Sequence, residues 1–437
     1  MKSRNRHLMY QAFDFFNGSS IVKSLSEINH MHRLTKEEIK HWQNLKLKKF
    51  IIHCYEHTDY FNELFKKNGI SPIDIQCAED LKILPPLTKE IIRKNFDRLI
   101  PDNINKLRYK QGHTGGSTAE PLKYLQDLKS WSYCNANSLY YWEKLSYTMG
   151  DKYISLGSSN INPGNKMSLK YRLYYLVKGK MSLSAINLGD EALKDYLDLI
   201  IKFKIKYIYG YATSIYLLAE MADKLKYDLS FLKGCISTSE LLLPEYYKKI
   251  VETFRCDVID AYGAGDGGIT AFKFKTDYFE VGYNCLLDVQ RAQEENQGNL
   301  YTTDILNLAF PFLRYEVGDG AEIGEVSDFN GQVIKELYGR IPNIIKLENG
   351  RTLIAPGFTV LFGGLNVNAY RIIKSGENSI SVQIVKNSNY SMNDEAKIVN
   401  SFKYHAGEDC NLNIEYFDAF NTTNIGKRNY FIAKQLN

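Results

Sequence analysis

The chain has 437 residues, 44% of them hydrophobic and 13% aromatic, with 55 basic side chains against 50 acidic ones. That length predicts two domains, and the apolar content is ample for buried cores, which excludes a disordered chain. The net charge of +5 is spread out, as in Lys46-Leu47-Lys48-Lys49, which argues for solvated helix faces and against a nucleic-acid surface while leaving room for an anionic substrate.

Residues 34–100 read as helical. Thr35-Lys36-Glu37-Glu38 offers an N-cap residue followed by early acids, and Trp42, Leu45, Leu47, Phe50, Ile51 and Cys54 recur at roughly helical spacing. Pro85-Pro86-Leu87-Thr88-Lys89-Glu90 breaks one element and caps the next. From residue 107 the texture changes. An aromatic-rich helix over 127–145 leads into strands at 153–157, 207–210, 234–238 and 257–262, interleaved with helices over 191–203, 214–226 and 244–254. This alternation predicts an α/β fold with helix-covered, mostly parallel sheets, in which ligands bind beyond the carboxyl ends of the strands. Residues 280–338 read as a β subdomain and the last hundred or so as a smaller α+β unit. The expected domains are therefore 1–338 and 339–437.

The seven cysteines form no C-x-x-C pair and their number is odd, which fits scattered reduced thiols and a cytoplasmic protein. No continuous apolar region follows the basic N-terminus, and no run approaches a membrane span, so neither leader nor span is expected.

The most informative stretch is Gly112-His113-Thr114-Gly115-Gly116-Ser117-Thr118. Glycines let backbone N–H groups approach an anion, and the hydroxyls add donors that follow phosphate oxygens. It is not the kinase-type phosphate loop, because no Lys follows Gly116. Two readings stand at this point: a polyphosphate cradle, and a flexible Gly/Ser/Thr turn between strands.

Three later segments carry further candidates. Gly263-Ala264-Gly265-Asp266-Gly267-Gly268 matches G-x-G-x-x-G, with Asp288 20 residues beyond Gly268. That motif must open a helix, yet Ile269 to Lys275 alternates like a strand. A different use suits it better, with Tyr262 stacking on a flat base and Asp266 carrying a metal-bound phosphate. The plain alternative is a Gly-rich turn with Asp266 as its local cap. Asp319, in Arg314-Tyr315-Glu316-Val317-Gly318-Asp319-Gly320, sits where a strand runs into a turn. It suits a ribose diol, or equally its own backbone. Lys427, in Gly426-Lys427-Arg428, reads by itself as a solvated lysine.

In this order the segments resemble the adenylate-forming ligase superfamily, most closely its phenylacetate–coenzyme A ligase-like branch, which includes capsule-polysaccharide biosynthesis proteins. The resemblance spans nearly the whole chain. It rests on residues 79–89, His113 to Leu122, Gly210 to Ala219, Ser237-Thr238-Ser239-Glu240, Tyr262 to Gly268, Thr303-Asp304 through Asp319, Gly339-Arg340 and Gly426-Lys427-Arg428.

It implies that Thr114, Gly115, Gly116, Ser117 and Thr118 hold the ATP phosphates. Tyr262 stacks on adenine beside Gly263, Ser239 and Glu240, and Asp319 binds the ribose with Arg340 nearby. Asp266 supports Mg2+ through the phosphates. Lys427 bridges the acid's carboxylate and the α-phosphate, with Asp266 and His113 as the other catalytic candidates. Tyr209, Tyr211, Ala212, Ser237 and Ala261 are candidates for the acid pocket. The implied reaction joins a carboxylic or amino acid to ATP as acyl-AMP with release of pyrophosphate. Acyl transfer then goes to an amine or hydroxyl of a sugar in surface-polysaccharide synthesis, or to the thiol of coenzyme A. An inactive nucleotide-binding protein is a third reading.

The sequence departs from the family at Asp266, where a Glu is usual, and at Gly265, where Ser or Thr is usual. Pro342-Asn343 follows the hinge in place of acidic residues, and proline is a poor swivel. Phe272 to Asp277 lacks the Cys/His ligands that some relatives use for zinc, so no zinc is expected.

Overall fold

A computed structural model describes residues 11–12, 14–113, 122–157, 179–185, 188–291, 298–338, 344–354, 358, 361–362, 365–418 and 431–432. The chain divides into two compact units. One comprises Met1–His113, Leu122–Met149 and Ile259–Gly339, the other Thr114–Pro121, Gly150–Val258 and Arg340–Asn437.

The first unit opens with helices α1 (Ile21–Met31), α2 (Lys36–His57), α3 (Asp59–Lys67) and the short α4 (Lys89–Lys94). The start of α2 is set by a reciprocal cap: the Glu38 amide donates to Thr35 Oγ1 at 3.3 Å and the Thr35 amide to Glu38 Oε2 at 2.8 Å. Its buried stripe is Ile39, Leu47, Phe50, Ile51 and Cys54. Leu45, expected in that stripe, points outward and is 48% exposed. Strands β1 (Tyr109–His113) and β2 (Lys123–Asp127) pair antiparallel, His113 opposite Lys123, and so carry between their ends the candidate phosphate loop, which lies outside the described residues. Helix α5 (Leu128–Lys144) follows, its first turn capped by Asp127 Oδ1, which accepts from the Lys129 amide at 2.8 Å.

The rest of this unit is a sheet of β7 (Asp257–Ala264), β8 (Ile269–Lys273), β9 (Phe279–Val281), β10 (Cys285–Arg291), β11 (Gly298–Asp304), β12 (Tyr315–Gly324) and β13 (Val333–Tyr338), in the order β10-β11-β12-β13-β9-β8-β7. Every pairing among these strands is antiparallel. Strand β7 is the predicted strand 257–262. It turns back on β8 through four residues, 265–268, a connection too short for a parallel crossover. One core joins the helices to this sheet, through Phe50, Phe61, Phe65, Leu87, Phe310, Phe312 and Tyr315.

In the second unit, β3 (Tyr153–Gly157), β4 (Lys180–Ser184), β5 (Tyr207–Tyr211) and β6 (Gly234–Thr238) are parallel, in the order β6-β5-β3-β4. Helices α6 (Asp190–Phe203), α7 (Ala212–Lys224) and α8 (Pro244–Phe254) bury apolar stripes that share a core with Ile154, Ile208 and Cys235 of the strands. This is the predicted α/β pattern. The C-terminal segment has a core of its own. It contains the hairpin β14 (Ile344–Lys346) and β15 (Thr352–Ile354), the strands β16 (Val367–Gly376), β17 (Ser379–Lys386), β18 (Asn411–Phe417) and β19 (Phe431–Ile432) in the order β18-β17-β16-β19, and helix α9 (Met392–Ala406). Its alternating run in β17 puts Ile380, Val382 and Ile384 in the core.

Candidate active site

Two pairs of side chains stand on the strands of the first unit. Tyr262, in β7, donates its hydroxyl to Asp319 Oδ2 at 2.9 Å. Tyr315, at the start of β12, donates to Asp266 Oδ2 at 2.5 Å. Burial raises both tyrosine hydroxyls well above their ordinary range, and the Asp266 charge adds to the effect. Both therefore stay protonated and act as donors, leaving the carboxylates as acceptors.

Asp319 was expected in a turn beyond a strand; it sits in a bulge within β12. Tyr301 pairs with Glu316 and Asn299 with Gly320, so the single residue 300 faces residues 317–319. Gly318 takes a φ of +88° in that bulge. A bulge interrupts the ladder and re-aims a side chain, which here brings Asp319 to Tyr262.

Asp266 lies in the β7–β8 turn, where the strand-like residues expected after Gly268 are found as β8. The turn is built on a buried polar floor. Gly267 and Gly268 take φ values of +112° and +70°. The Gly268 carbonyl accepts from Asn284 Nδ2 at 3.0 Å and from the thiols of Cys285 and Cys134 at 3.0 and 3.4 Å. The Gly267 carbonyl accepts from Thr302 Oγ1 at 3.3 Å. Beneath them is Asp304, fully buried. It accepts from Ser130 Oγ at 2.5 Å, and from Asn284 Nδ2 and the Leu306 amide at 3.2 Å each. Burial pushes its carboxyl up to about 6 despite those three donors. A Cβ on Gly268 would lie 2.1 Å from Asp304 Oδ2, so only glycine fits between the turn and its floor.

Burial also raises Asp266, opposed by the nearby Lys89 ammonium and the Tyr315 hydrogen bond. Lys89 Nζ lies 3.9 Å from Asp266 Oδ2. The Tyr124 hydroxyl would lie 2.8 Å from a Cβ placed on Gly265, so any side chain at that position would require the Tyr124 ring to shift.

In the second unit, Ser237 and Ser239-Glu240 follow one another at the end of β6, and Tyr209, Tyr211 and Ala212 at the end of β5. Glu240 Oε2 accepts from the Thr213 amide at 3.0 Å, at the first turn of α7, where the helix dipole favours a negative charge. Burial nonetheless lifts its carboxyl to about 7. Ser239 adopts a left-handed φ of +68°. The Ser237 hydroxyl is buried and has no partner among the described residues. A Cβ on Gly210 would lie 2.7 Å from the Leu156 carbonyl, so β5 packs on β3 only with glycine there.

Of the residues expected from the sequence, Tyr262, Gly263, Asp266 and Asp319 come together in the first unit, where Ala261 is buried in β7 and His113 exposed at the end of β1. Glu240, Ser239, Ser237, Tyr209, Tyr211 and Ala212 lie at the β5 and β6 ends of the second. Thr114 to Thr118, Arg340 and Lys427 lie outside the described residues.

Sequence reasoning passed over Lys89, Tyr124, Tyr315 and the Asp304 floor. The available signals were the cap residue before Lys89 and the Arg-Tyr preceding the bulge. It also passed over His53 and His57, one helical turn apart. The structure spends both elsewhere: His53 Nε2 bonds the Leu308 carbonyl at 2.9 Å and His57 Nδ1 pairs with Asp102 at 2.8 Å. Among the described residues no group of three or more His, Cys, Asp or Glu side chains is placed to hold a metal. A magnesium ion at Asp266 would need oxygens from a phosphate and water, which is its usual mode of binding.

Residues 347–434 match the CapK C-terminal domain family. The chain is 26% identical over 422 residues to Protein CapK of Staphylococcus aureus, covering 94% of this chain and 91% of that protein. Among solved structures it is similar to 2-hydroxyisobutyryl-CoA ligase. The match to that enzyme with 2-HIB-AMP and CoA in the thioesterification state has a TM-score of 0.58 at 14% identity, over 91% of this chain and 90% of that one. In the postadenylation state with 2-HIB-AMP the TM-score is 0.56, again at 14% identity and with the same coverage. The resemblance to adenylate-forming ligases seen in the motifs is thus met in the fold: the chain has the architecture of these ligases.

Proposed function

Taking the adenylate-forming ligase fold as premise, we propose that this protein activates a carboxylic or amino acid with ATP as acyl-AMP. It then transfers the acyl group to an amine or hydroxyl of a sugar in surface-polysaccharide synthesis. The observation that carries the first half is the pairing of Tyr262 with Asp319 and of Tyr315 with Asp266, which joins β7 and the turn after it to β12 of the same sheet. In this reading Tyr262 stacks on adenine and Asp319, aimed by its bulge, accepts from the ribose diol. Asp266 carries Mg2+ through the phosphates held by Thr114, Gly115, Gly116, Ser117 and Thr118. Gly263, Ser239 and Glu240 border the adenine, Arg340 lies near the ribose, and His113 flanks the phosphate loop. Tyr209, Tyr211, Ala212, Ser237 and Ala261 line the acid pocket. Residues 1–338 form the binding domain and 339–437 a lid.

A carboxylate oxygen attacks the α-phosphorus, a C–O–P bond forms, and the bond to the β-phosphate oxygen breaks as pyrophosphate leaves. Both reactants are anions, so cations must offset their repulsion and the charge gathering on the α-phosphoryl oxygens. Lys427 contributes to that charge, and Mg2+, when bound, would supply a further part. In the second half the acceptor's nucleophile attacks the acyl carbon and AMP leaves. The likeness to Protein CapK supports a polysaccharide-related acceptor, and the CoA bound in the similar ligase supports the thiol of CoA as the alternative.

Pyrophosphate release across a panel of carboxylic and amino acids tests the first half. Release with at least one acid is expected. ATP binding without release for any acid would leave the inactive nucleotide-binding reading standing instead. Amino sugars or CoA added to the productive acid then separate the acceptors by the mass of the product.

A further inference from the structure

We propose that Lys89 is a ligand for the ATP phosphates, a cation for this site that the family motifs do not assign; the proposal rests on the ligase reading above. The segment carrying Lys89 is stapled to the strand that bears the site. The Leu87 amide donates to the Arg314 carbonyl, and the Glu316 amide to the Leu87 carbonyl, at 3.0 Å each. Thr88 Oγ1 then caps α4, accepting from the Ile91 amide at 3.3 Å. Lys89 therefore leaves a fixed stretch of backbone beside Tyr315 and points back across β12.

Its ammonium lies 3.9 Å from Asp266 Oδ2 and is also the nearest atom, at 3.9 Å, to the place where a Cβ would stand on Gly318. It thus sits between Asp266, which would carry the phosphate-bound metal, and the bulge holding Asp319, which would carry the ribose. The phosphates of a nucleotide are bonded to its ribose and must run through that interval. At 3.9 Å the ion pair is longer than a hydrogen bond, and among the described residues the Lys89 ammonium makes no hydrogen bond. Its donors are available for phosphate oxygens. An ion pair of that length, with Lys89 at 35% exposure, adds little to stability, so a purely structural role leaves this placement unexplained. Arg93, one turn along α4, adds to the positive field at Tyr315.

The test titrates the full chain with Mg-ATP and, separately, with adenosine, which has the base and ribose but no phosphate. The variants are Lys89→Gln, Lys89→Arg and, as a charge control on the exposed side of α4, Lys94→Gln. Loss of a charge-assisted contact predicts Mg-ATP binding weakened about tenfold to a hundredfold in Lys89→Gln. Adenosine affinity should stay within about twofold. Lys89→Arg should recover most of the loss, and Lys94→Gln should match the parent. Mg-ATP affinity unchanged in Lys89→Gln, or adenosine weakened as much as ATP, overturns the role of Lys89 and leaves the ligase reading intact. A parent chain that binds no Mg-ATP overturns both.

Discussion

Gly268→Ala probes the floor on which the candidate site is built. Two costs are separable. The first is conformational: Gly268 has a φ of +70°, and a left-handed residue with a Cβ costs about 1–2 kcal/mol. The second is steric: the new methyl would stand 2.1 Å from Asp304 Oδ2 and 2.5 Å from its Cγ. Asp304 cannot swing aside without giving up the bonds from Ser130, Asn284 and the Leu306 amide. Breaking even one hydrogen bond to a buried charge adds about 1.5–3 kcal/mol. The expected total is about 2.5–5 kcal/mol.

Gly69→Ala isolates the first cost. Gly69 has a φ of +64° at the end of α3, with no atom within 4 Å of its would-be Cβ, so its loss should be only about 1–2 kcal/mol. All three tryptophans, Trp42, Trp131 and Trp142, lie in the first unit, so urea unfolding followed by their fluorescence reads that unit. A difference between the two variants below about 1 kcal/mol would refute the packing of Asp304 against the turn. Because the same turn aims Asp266, Gly268→Ala should also weaken Mg-ATP binding, and Gly69→Ala should not.

Other outcomes follow from the same geometry. Asp304 binds its proton more tightly folded, at about 6, than in an unfolded chain, at about 4. Its contribution to stability is therefore complete below about pH 4 and falls away by pH 6, by at most about 3 kcal/mol. Asp304→Asn should remove that fall, and a parent-minus-variant difference that stays constant across this window in tryptophan-monitored unfolding would contradict the burial argument. Tyr262→Phe keeps the ring but loses the bond to Asp319, so ATP KM should rise about three- to tenfold with kcat near the parent's, while Asp319→Ala should cost about a hundredfold. Equal values for both variants would remove Asp319 from the ribose site. Lys427→Ala should abolish adenylate formation while ATP affinity stays within about several-fold; full activity in a pyrophosphate assay would end its assigned role.

Much of this architecture is legible along the chain because its causes are local. The cap at Thr35, the helix over 127–145 behind Asp127 and the strand–helix alternation from 153 to 254 all follow from propensity, capping and burial period. So does the exclusion of a dinucleotide motif at Gly263, since Ile269 onward carries a strand's pattern and forms β8. What failed locally failed for a tertiary reason. Leu45 has the apolarity of the α2 stripe but falls on its outer face. Asp319 has the composition of a turn, yet β11 and β12 continue past it and force a bulge.

The residues that make the candidate site come from distant stretches of chain. Lys89 reaches Asp266 from 177 positions away because Leu87 joins the backbone of β12. Asp304 meets the Gly267-Gly268 turn because it pairs with Cys285 at the open end of the β10–β11 hairpin, where Asn284 and Cys285 bond the Gly268 carbonyl. By itself the sequence determined the α/β class and most helix boundaries, since these depend on neighbours within a turn or two. Only the tertiary structure decided which carboxylate meets which hydroxyl, that Lys89 stands beside Asp266, and that a buried acid holds the turn in place. Those choices depend on strand register and close packing, and neither is written within any single segment.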